Sequence, residues 1–243
     1  MHVTAIIQAR MGSTRLPGKV LKDLGGKTVL SRVVSRVRRS QFIDEVDVAT
    51  STESADTAIV EECHRLGAAV FRGNEADVLD RYYRAAQAAK AEAIVRITSD
   101  CPLIDPVVSD QTVRAFLDEQ PDYASNVQVR TYPLGLDTEV MTFEALETAW
   151  REASESFQRV HVTPYLYQHP ERFRLLSVIG EADYSQNRWT LDTPEDLEFL
   201  QAVYAGLGNQ DDFSWRDVLN LIKQEPELAE INRHITQKAV REG

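Results

Sequence analysis

Val3-Thr4-Ala5-Ile6-Ile7-Gln8-Ala9-Arg10-Met11-Gly12-Ser13-Thr14-Arg15-Leu16-Pro17-Gly18-Lys19 begins as a short apolar run and then breaks into glycines, hydroxyls and cations. Residues 3–7 read as a buried strand, and Gly12, Pro17, Gly18, Gly25 and Gly26 punctuate a loop after it. Beyond the loop, Val29, Leu30, Val33, Val34 and Val37 recur at helical spacing, with Thr28 placed to cap them. Val46–Thr50 reads as a second strand. Ile59, Val60, Cys63 and Leu66 mark a helix ended by Gly67, and Ala68–Phe71 a third strand. A helix around Val78, Leu79, Tyr82, Tyr83 and Ala86 follows, then the strand Ile94–Thr98 and a helix over 107–117. Strands and helices alternating at this spacing predict βαβ units, hence an α/β fold with a mainly parallel sheet covered on both faces.

After residue 121 the alternation loosens. Strands at Tyr123–Asn126, Thr138–Met141 and Phe173–Val178 surround helices near 143–153 and 156–169, which predicts a mixed second half. Trp215 to about Val240 reads as helices without obvious site chemistry. No repeat or linker interrupts the chain, so residues 1–243 are expected to form one domain.

The formal charge of −11 opposes general binding of nucleic acid, which calls for a basic face. Its distribution is uneven: residues 1–40 carry nine Lys/Arg against Asp23, or +8, leaving −19 on the rest. A basic segment on an acidic body suggests a local anion site. Arg32–Arg39 reads mostly as the solvated face of a helix, whereas Arg10, Arg15 and Lys19 stand in the loop itself. No apolar run approaches the ~20 residues that span a bilayer, and Gln8 and Arg10 interrupt any signal-like start, so no membrane partner and a cytoplasmic location are expected. Cys63 and Cys101 are too few for a disulfide framework and read as small buried thiols.

The loop lies where an α/β sheet places its ligands, beyond the carboxyl end of a strand. Glycines let backbone N–H groups approach phosphate oxygens, Ser13 and Thr14 add hydroxyls, and guanidinium groups suit bidentate phosphate contact. It is not a Walker A loop, since five residues separate Gly12 from Gly18 and Val20 follows Lys19. Nor is a Gly-x-Gly-x-x-Gly fingerprint present. Two acids invite attention. Asp100, in Ser99-Asp100-Cys101-Pro102-Leu103-Ile104-Asp105, follows a buried strand and could equally cap a turn. In Arg188-Trp189-Thr190-Leu191-Asp192-Thr193-Pro194-Glu195-Asp196, the stretch Thr193–Asp196 has the form of a helix start, which leaves Asp192 over.

Residues 7–19 resemble the signature loop of the CMP-sugar-acid synthetases, notably the 3-deoxy-manno-octulosonate cytidylyltransferases, and more closely the spore-coat polysaccharide biosynthesis branch. Ser99–Leu103 and Leu191–Glu198 are similar to that family's two acidic signatures. The resemblance implies a three-layer, Rossmann-like sheet of the nucleotide-diphospho-sugar-transferase kind. Residues 1–120 would bind nucleotide, 121–210 the acceptor sugar, and 211–243 would add C-terminal helices. It implies transfer of CMP from CTP to an acidic sugar with release of pyrophosphate, and association as a homodimer. Arg10, Gly12, Ser13 and Lys19 would hold the triphosphate, with Ala9 and Ser99 alongside; Asp100 and Asp192 would bind Mg²⁺. The octulosonate enzymes usually carry a second acid where Cys101 stands. Arg72, Gly73 and Asn74 would meet base and ribose, although a turn before an amphipathic helix explains them nearly as well. Asp137 and Glu139, alternating on a strand and so sharing a face, would meet the acceptor or form surface ion pairs. His161 is an acceptor contact or a structural residue. Two other classes compete: a metal-dependent A-type glycosyltransferase, which would carry an Asp-x-Asp motif that this chain lacks, and a non-catalytic nucleotide-binding protein.

Overall fold

The computed structural model describes residues 1–237. In chain order its elements are β1 (Val3–Gln8), α1 (Val29–Val37), β2 (Glu45–Ser51), α2 (Thr57–Leu66), β3 (Ala69–Gly73), α3 (Val78–Ala88), β4 (Ala93–Thr98) and α4 (Pro106–Glu119). They continue with β5 (Tyr123–Ser125), β6 (Glu139–Thr142), α5 (Phe143–Glu152), α6 (Ser156–His161), α7 (Pro164–Gln168), β7 (Leu175–Ser177), α8 (Pro194–Gly206), α9 (Trp215–Gln224) and α10 (Glu227–Glu230). The seven strands form one sheet in the order β3-β2-β1-β4-β6-β5-β7. β6 runs antiparallel to both neighbours and the other pairings are parallel, as the change of pattern after residue 121 predicts.

β1 and β4 sit at the centre, where both faces are covered. Ala5, Ile6, Ile7, Ile94 and Val95 are accordingly fully buried, which is why these strands carry apolar residues on both faces instead of alternating apolar and polar ones. One apolar cluster packs Val33 and Val34 of α1, Ile59 of α2 and Phe116 of α4 on one face of the sheet. A second packs Leu79 and Tyr82 of α3, Leu146 of α5 and Leu166 of α7 on the other. A third gathers Leu16, Leu24, Trp189, Leu191 and the apolar faces of α8 and α9. No described helix is long and apolar enough to cross a membrane.

Three expectations are corrected. The helix expected over 156–169 is two helices. Val162 turns to φ 73° and breaks the run, and Pro164, which has no N–H to leave unpaired, opens the second helix. The 32–39 cluster is not a solvated face: Arg32 and Arg36 are 0% exposed. Arg32 donates to the carbonyls of Leu24, Gly25 and Asn209 and pairs with Asp211. Arg36 donates to the carbonyls of Ile104, Asp211 and Phe213. Their guanidinium groups lie over the rings of Tyr204 (4.4 Å) and Phe213 (4.1 Å). Only Arg38 and Arg39 of that cluster are exposed or nearly so. Finally, helix ends at Glu230, residues 231–237 form turns and irregular chain, and 238–240 of the expected helical end lie outside the described residues.

Candidate functional site

β1 and β4 end side by side, Gln8 opposite Thr98, at the point where the strand order reverses, with β2 and β3 on one side of β1 and β4 on the other. Such a switch point opens a crevice beyond the strand ends. The N–H of Ser99 donates to the Gln8 carbonyl (3.1 Å), so the loop after β1 and the turn bearing Asp100 share one edge. Asp56, 2% exposed, fixes the start of that loop. Its carboxylate accepts from the Met11 N–H (2.7 Å) and from Thr50 and Ser51. Burial alone would raise the Asp56 pKa, but these hydrogen bonds outweigh it and hold the carboxyl below its ordinary value. The loop closes where the N–H of Gly18 donates to the Met11 carbonyl (3.1 Å), in a left-handed conformation (φ 66°) that suits glycine. Buried Leu16 and Val20 anchor it on either side of Lys19.

Lys19 points into the crevice. Its Nζ lies 2.8 Å from Asp100 Oδ2, 2.8 Å from Asp192 Oδ1 and 2.7 Å from the Leu191 carbonyl oxygen. Asp100 and Asp192, 92 positions apart in sequence, thus meet around one cation. The Leu191 N–H donates to the Asp100 carbonyl (2.8 Å), which joins the two stretches directly. Burial works against the Lys19 ammonium, yet the two carboxylates overcome it and its pKa is raised. Burial likewise works against the Asp100 carboxylate, but Lys19 outweighs it and brings the pKa down to about 2. Asp100 is not a helix cap; Asp105 takes that role at α4.

Asp192 is held from the other side. Its Oδ2 receives Arg15 and Arg188, each at 3.1 Å. Arg188 is fixed in turn by Asp196, fully buried, through contacts of 2.9 and 2.8 Å. Asp196 also completes the capping box of α8 with Thr193 and accepts from the Asp192 N–H (2.9 Å). Asn232, 3% exposed, donates to Asp196 Oδ1 (2.9 Å) and to the Arg188 carbonyl (3.1 Å). The C-terminal segment, expected to lack site chemistry, therefore reaches the support of Asp192. Neither Arg188 nor Asn232 carries a sequence signal for this, since the bend that returns Arg188 over Asp196 is not periodic.

The other expected residues are spread around this centre. Ala9 is buried at the strand end, Ser13 and Gly12 lie in the loop, and Arg10 is exposed with no acid within ion-pair distance among the described residues. A side chain at Gly12 would meet Glu75 at 3.0 Å, which brings the loop against the turn after β3. At the end of β3 Arg72 donates to the carbonyls of Ser51 and Glu53, and in the turn the Asn74 side-chain oxygen accepts from the N–H groups of Ala76 and Asp77. Gly73 packs against Phe71 and Arg81, so all three residues shape the rim. Asp137 precedes the strand instead of alternating with Glu139 on it, because β6 starts at Glu139. Arg130 grips Asp137 in a fork (2.6 and 2.8 Å), and Gly135, at φ 113° against the Trp189 carbonyl, carries this segment beside the Asp192 stretch. Glu139 is 4% exposed and accepts from Tyr123, Thr163 and Arg96, while Arg96 also reaches Gln8. His161 ends α6, next to the Thr163 that touches Glu139. Cys101 is 4% exposed, and burial first, then Asp100, pushes its thiol well above the ordinary value, so it stays neutral. A cavity of about 410 Å³, lined by Gln111, Tyr132, Tyr184, Trp215 and Arg216 among others, shares no residue with this cluster.

The sequence pattern of the cytidylyltransferases matches residues 4–225. An uncharacterized protein of Methanocaldococcus jannaschii is 39% identical over 100% of this chain and 99% of its own length. Spore coat polysaccharide biosynthesis protein SpsF of Bacillus subtilis is 38% identical over 92% of this chain and 95% of its own. A 3-deoxy-manno-octulosonate cytidylyltransferase of Trichlorobacter lovleyi is 36% identical, over 48% of this chain and 46% of that protein. Among solved structures, a cytidylyltransferase from Leptospira borgpetersenii superposes with a TM-score of 0.91 at 35% identity, covering 98% of this chain and 100% of the other. A CMP:2-keto-3-deoxy-manno-octonic acid synthetase complexed with CTP shares the fold, with a TM-score of 0.62 at 18% identity, covering 84% of this chain and 99% of the other. From strand order, loop and full-length likeness together, the chain belongs to the cytidylyltransferase family.

Proposed function

We propose that this nucleotidyltransferase moves CMP from CTP to an acidic sugar, releasing pyrophosphate, in the making of a surface polysaccharide. One observation carries the reading: Lys19, Asp100 and Asp192 meet within 2.8 Å at the mouth of a cationic loop. Two carboxylates and a carbonyl are hard oxygen donors gathered around a point already occupied by a cation, and that donor set fits Mg²⁺, which takes few protein ligands and completes its shell with water and phosphate. Asp100 and Asp192 would hold the ion, which when bound neutralises phosphate charge and polarises the α-phosphate.

The chain's own groups then have distinct tasks. The loop's N–H groups, Ser13 and the Arg10 guanidinium bind the β- and γ-phosphates, and Ala9 and Ser99 wall the nucleotide at the strand ends. Lys19 and Arg10 stabilise the charge that builds on the leaving pyrophosphate as the acceptor hydroxyl bonds to the α-phosphorus and the bond to the β-phosphate oxygen breaks. The rim formed by Arg72, Gly73 and Asn74 takes base and ribose. Asp137 with Arg130, Glu139 through Arg96, and His161 form the acceptor side. We read the whole chain as one such domain, working as a homodimer in the cytoplasm, where CTP is supplied. The sugar acids named for the octulosonate relatives support the acceptor class. The test is a pyrophosphate-release assay with each nucleoside triphosphate against eight- and nine-carbon keto acids. CTP-dependent release with at least one acid is expected; release of nucleoside diphosphate from a nucleotide sugar instead would overturn the reading.

A further inference from the structure

We propose that Lys19 is a resident counter-cation: in the nucleotide-free protein its ammonium keeps a divalent ion off Asp100 and Asp192, and yields only when phosphates draw it away. This rests on the metal reading given above and goes beyond it, because it makes metal and nucleotide binding interdependent.

The ammonium has three N–H donors, and three oxygens face it, at 2.8, 2.8 and 2.7 Å. Its donors are thus saturated and the oxygen pocket is full. Mg²⁺ drawing on the same carboxylates would stand roughly 2.1 Å from their oxygens. That leaves no room for the ammonium beside it and sets two like charges in one small, partly buried space; the Lys19 and Asp192 side chains are only 13% and 11% exposed. Occupancy is therefore exclusive.

The surroundings are built for exchange. Lys19 follows Gly18 and begins a single 3-10 turn, so its flexible four-carbon stem can swing toward the loop. Arg15, from the same loop and about one-third exposed, is parked on Asp192 Oδ2 in the same manner. Arg188 is different. Locked by Asp196 and 9% exposed, it stays on Oδ2 and keeps Asp192 aimed while Oδ1 is released. Bound phosphates offer Lys19 and Arg15 new anions, so the pocket opens to metal when nucleotide is present. By linkage, metal must then favour nucleotide to the same degree.

The probe is Mn²⁺ alone, with free ion counted by electron paramagnetic resonance and no nucleotide present. Lys19→Met should bind Mn²⁺ about tenfold or more tightly than the parent, and Lys19→Arg, which keeps the charge, about as weakly as the parent. Lys19→Gln serves if the methionine variant does not fold. Adding Asp192→Asn to the tight variant should remove its Mn²⁺. If a folded neutral variant binds Mn²⁺ no better than the parent, while Asp192→Asn abolishes the Mn²⁺ that the parent takes up with CTP, exclusion by Lys19 is wrong and the metal site stands. If Asp192→Asn leaves Mn²⁺ bound in both settings, the metal site itself fails and the exclusion falls with it.

Discussion

Arg188→Met separates the support of Asp192 from its chemistry. The guanidinium meets Asp196 at 2.9 and 2.8 Å and Asp192 at 3.1 Å, and Asp196 is fully buried. Breaking a buried pair from one side typically costs about 3–5 kcal/mol, since the remaining charge is left uncompensated. Here Asp196 keeps N–H donors from Asp192, Thr193 and Asn232, so the loss should lie nearer about 2–4 kcal/mol. Its pH dependence is the sharper signature. Burial raises the Asp196 pKa, but Arg188 and the neighbouring donors outweigh it and hold the value below the ordinary 3.8. A depressed carboxyl contributes stability above its unfolded pKa and loses it as pH falls through the folded one. Without Arg188 the folded pKa climbs, so the destabilisation should be full near pH 7.5 and shrink toward about pH 4, where Asp196 takes up a proton. Urea unfolding at both pH values, with unchanged slope, measures it. An equal loss at the two pH values, or a loss under about 0.5 kcal/mol at the upper one, would refute the charge-pair argument. Adding Asp196→Asn should recover part of the loss.

Asp100→Asn and Asp192→Asn should each lower kcat by about 100-fold or more, the scale of losing a charge-stabilising group, with far-ultraviolet circular dichroism unchanged; near-normal turnover in both would reject the metal assignment. Asn232→Ala should lower kcat by about threefold to tenfold while the KM for CTP stays within about twofold, because it loosens the aim of Asp192 without touching the loop. Asp47→Asn should stabilise the protein. Asp47 is 8% exposed, its Oδ1 lacks a partner, and burial, then Glu45, push its pKa up to about 6. A raised carboxyl pKa costs stability above that value, so the gain should be about 1–3 kcal/mol near pH 8 and vanish near pH 4 in thermal melts.

The order of elements was legible because β1 and β4 are covered on both faces and so are mostly apolar, while Thr28, Gly67 and the Thr193–Pro194 start mark helix ends by local chemistry. The break in 156–169 escaped because it falls on Val162, a β-branched residue at φ 73° that no local sequence signal marks as a turn. Arg32 and Arg36 misled for a different reason. A cation on a helix reads as wet unless its acceptors are known, and theirs are carbonyls more than 170 residues away for Asn209 and Asp211. At the site, Arg10, Lys19, Asp100 and Asp192 stood out by residue type and by family likeness. Arg188 and Asn232 did not, since their meaning lies in a tertiary bend. Asp137 and Glu139 carried the right charges but not the shared strand face, because β6 begins two residues later than their alternation requires.

The two sunken arginines of α1 have a bearing on assembly. They strap residues 209–213 to the helix that follows the loop after β1, stacking on Tyr204 and Phe213 as they do so. A nascent chain can lay down its first four parallel strands early, yet Arg32 and Arg36 gain their partners at Asn209, Asp211 and Phe213 only after the far end has been made. The seat of α1 is thus shared between residues near the start of the chain and residues about 175 positions further on.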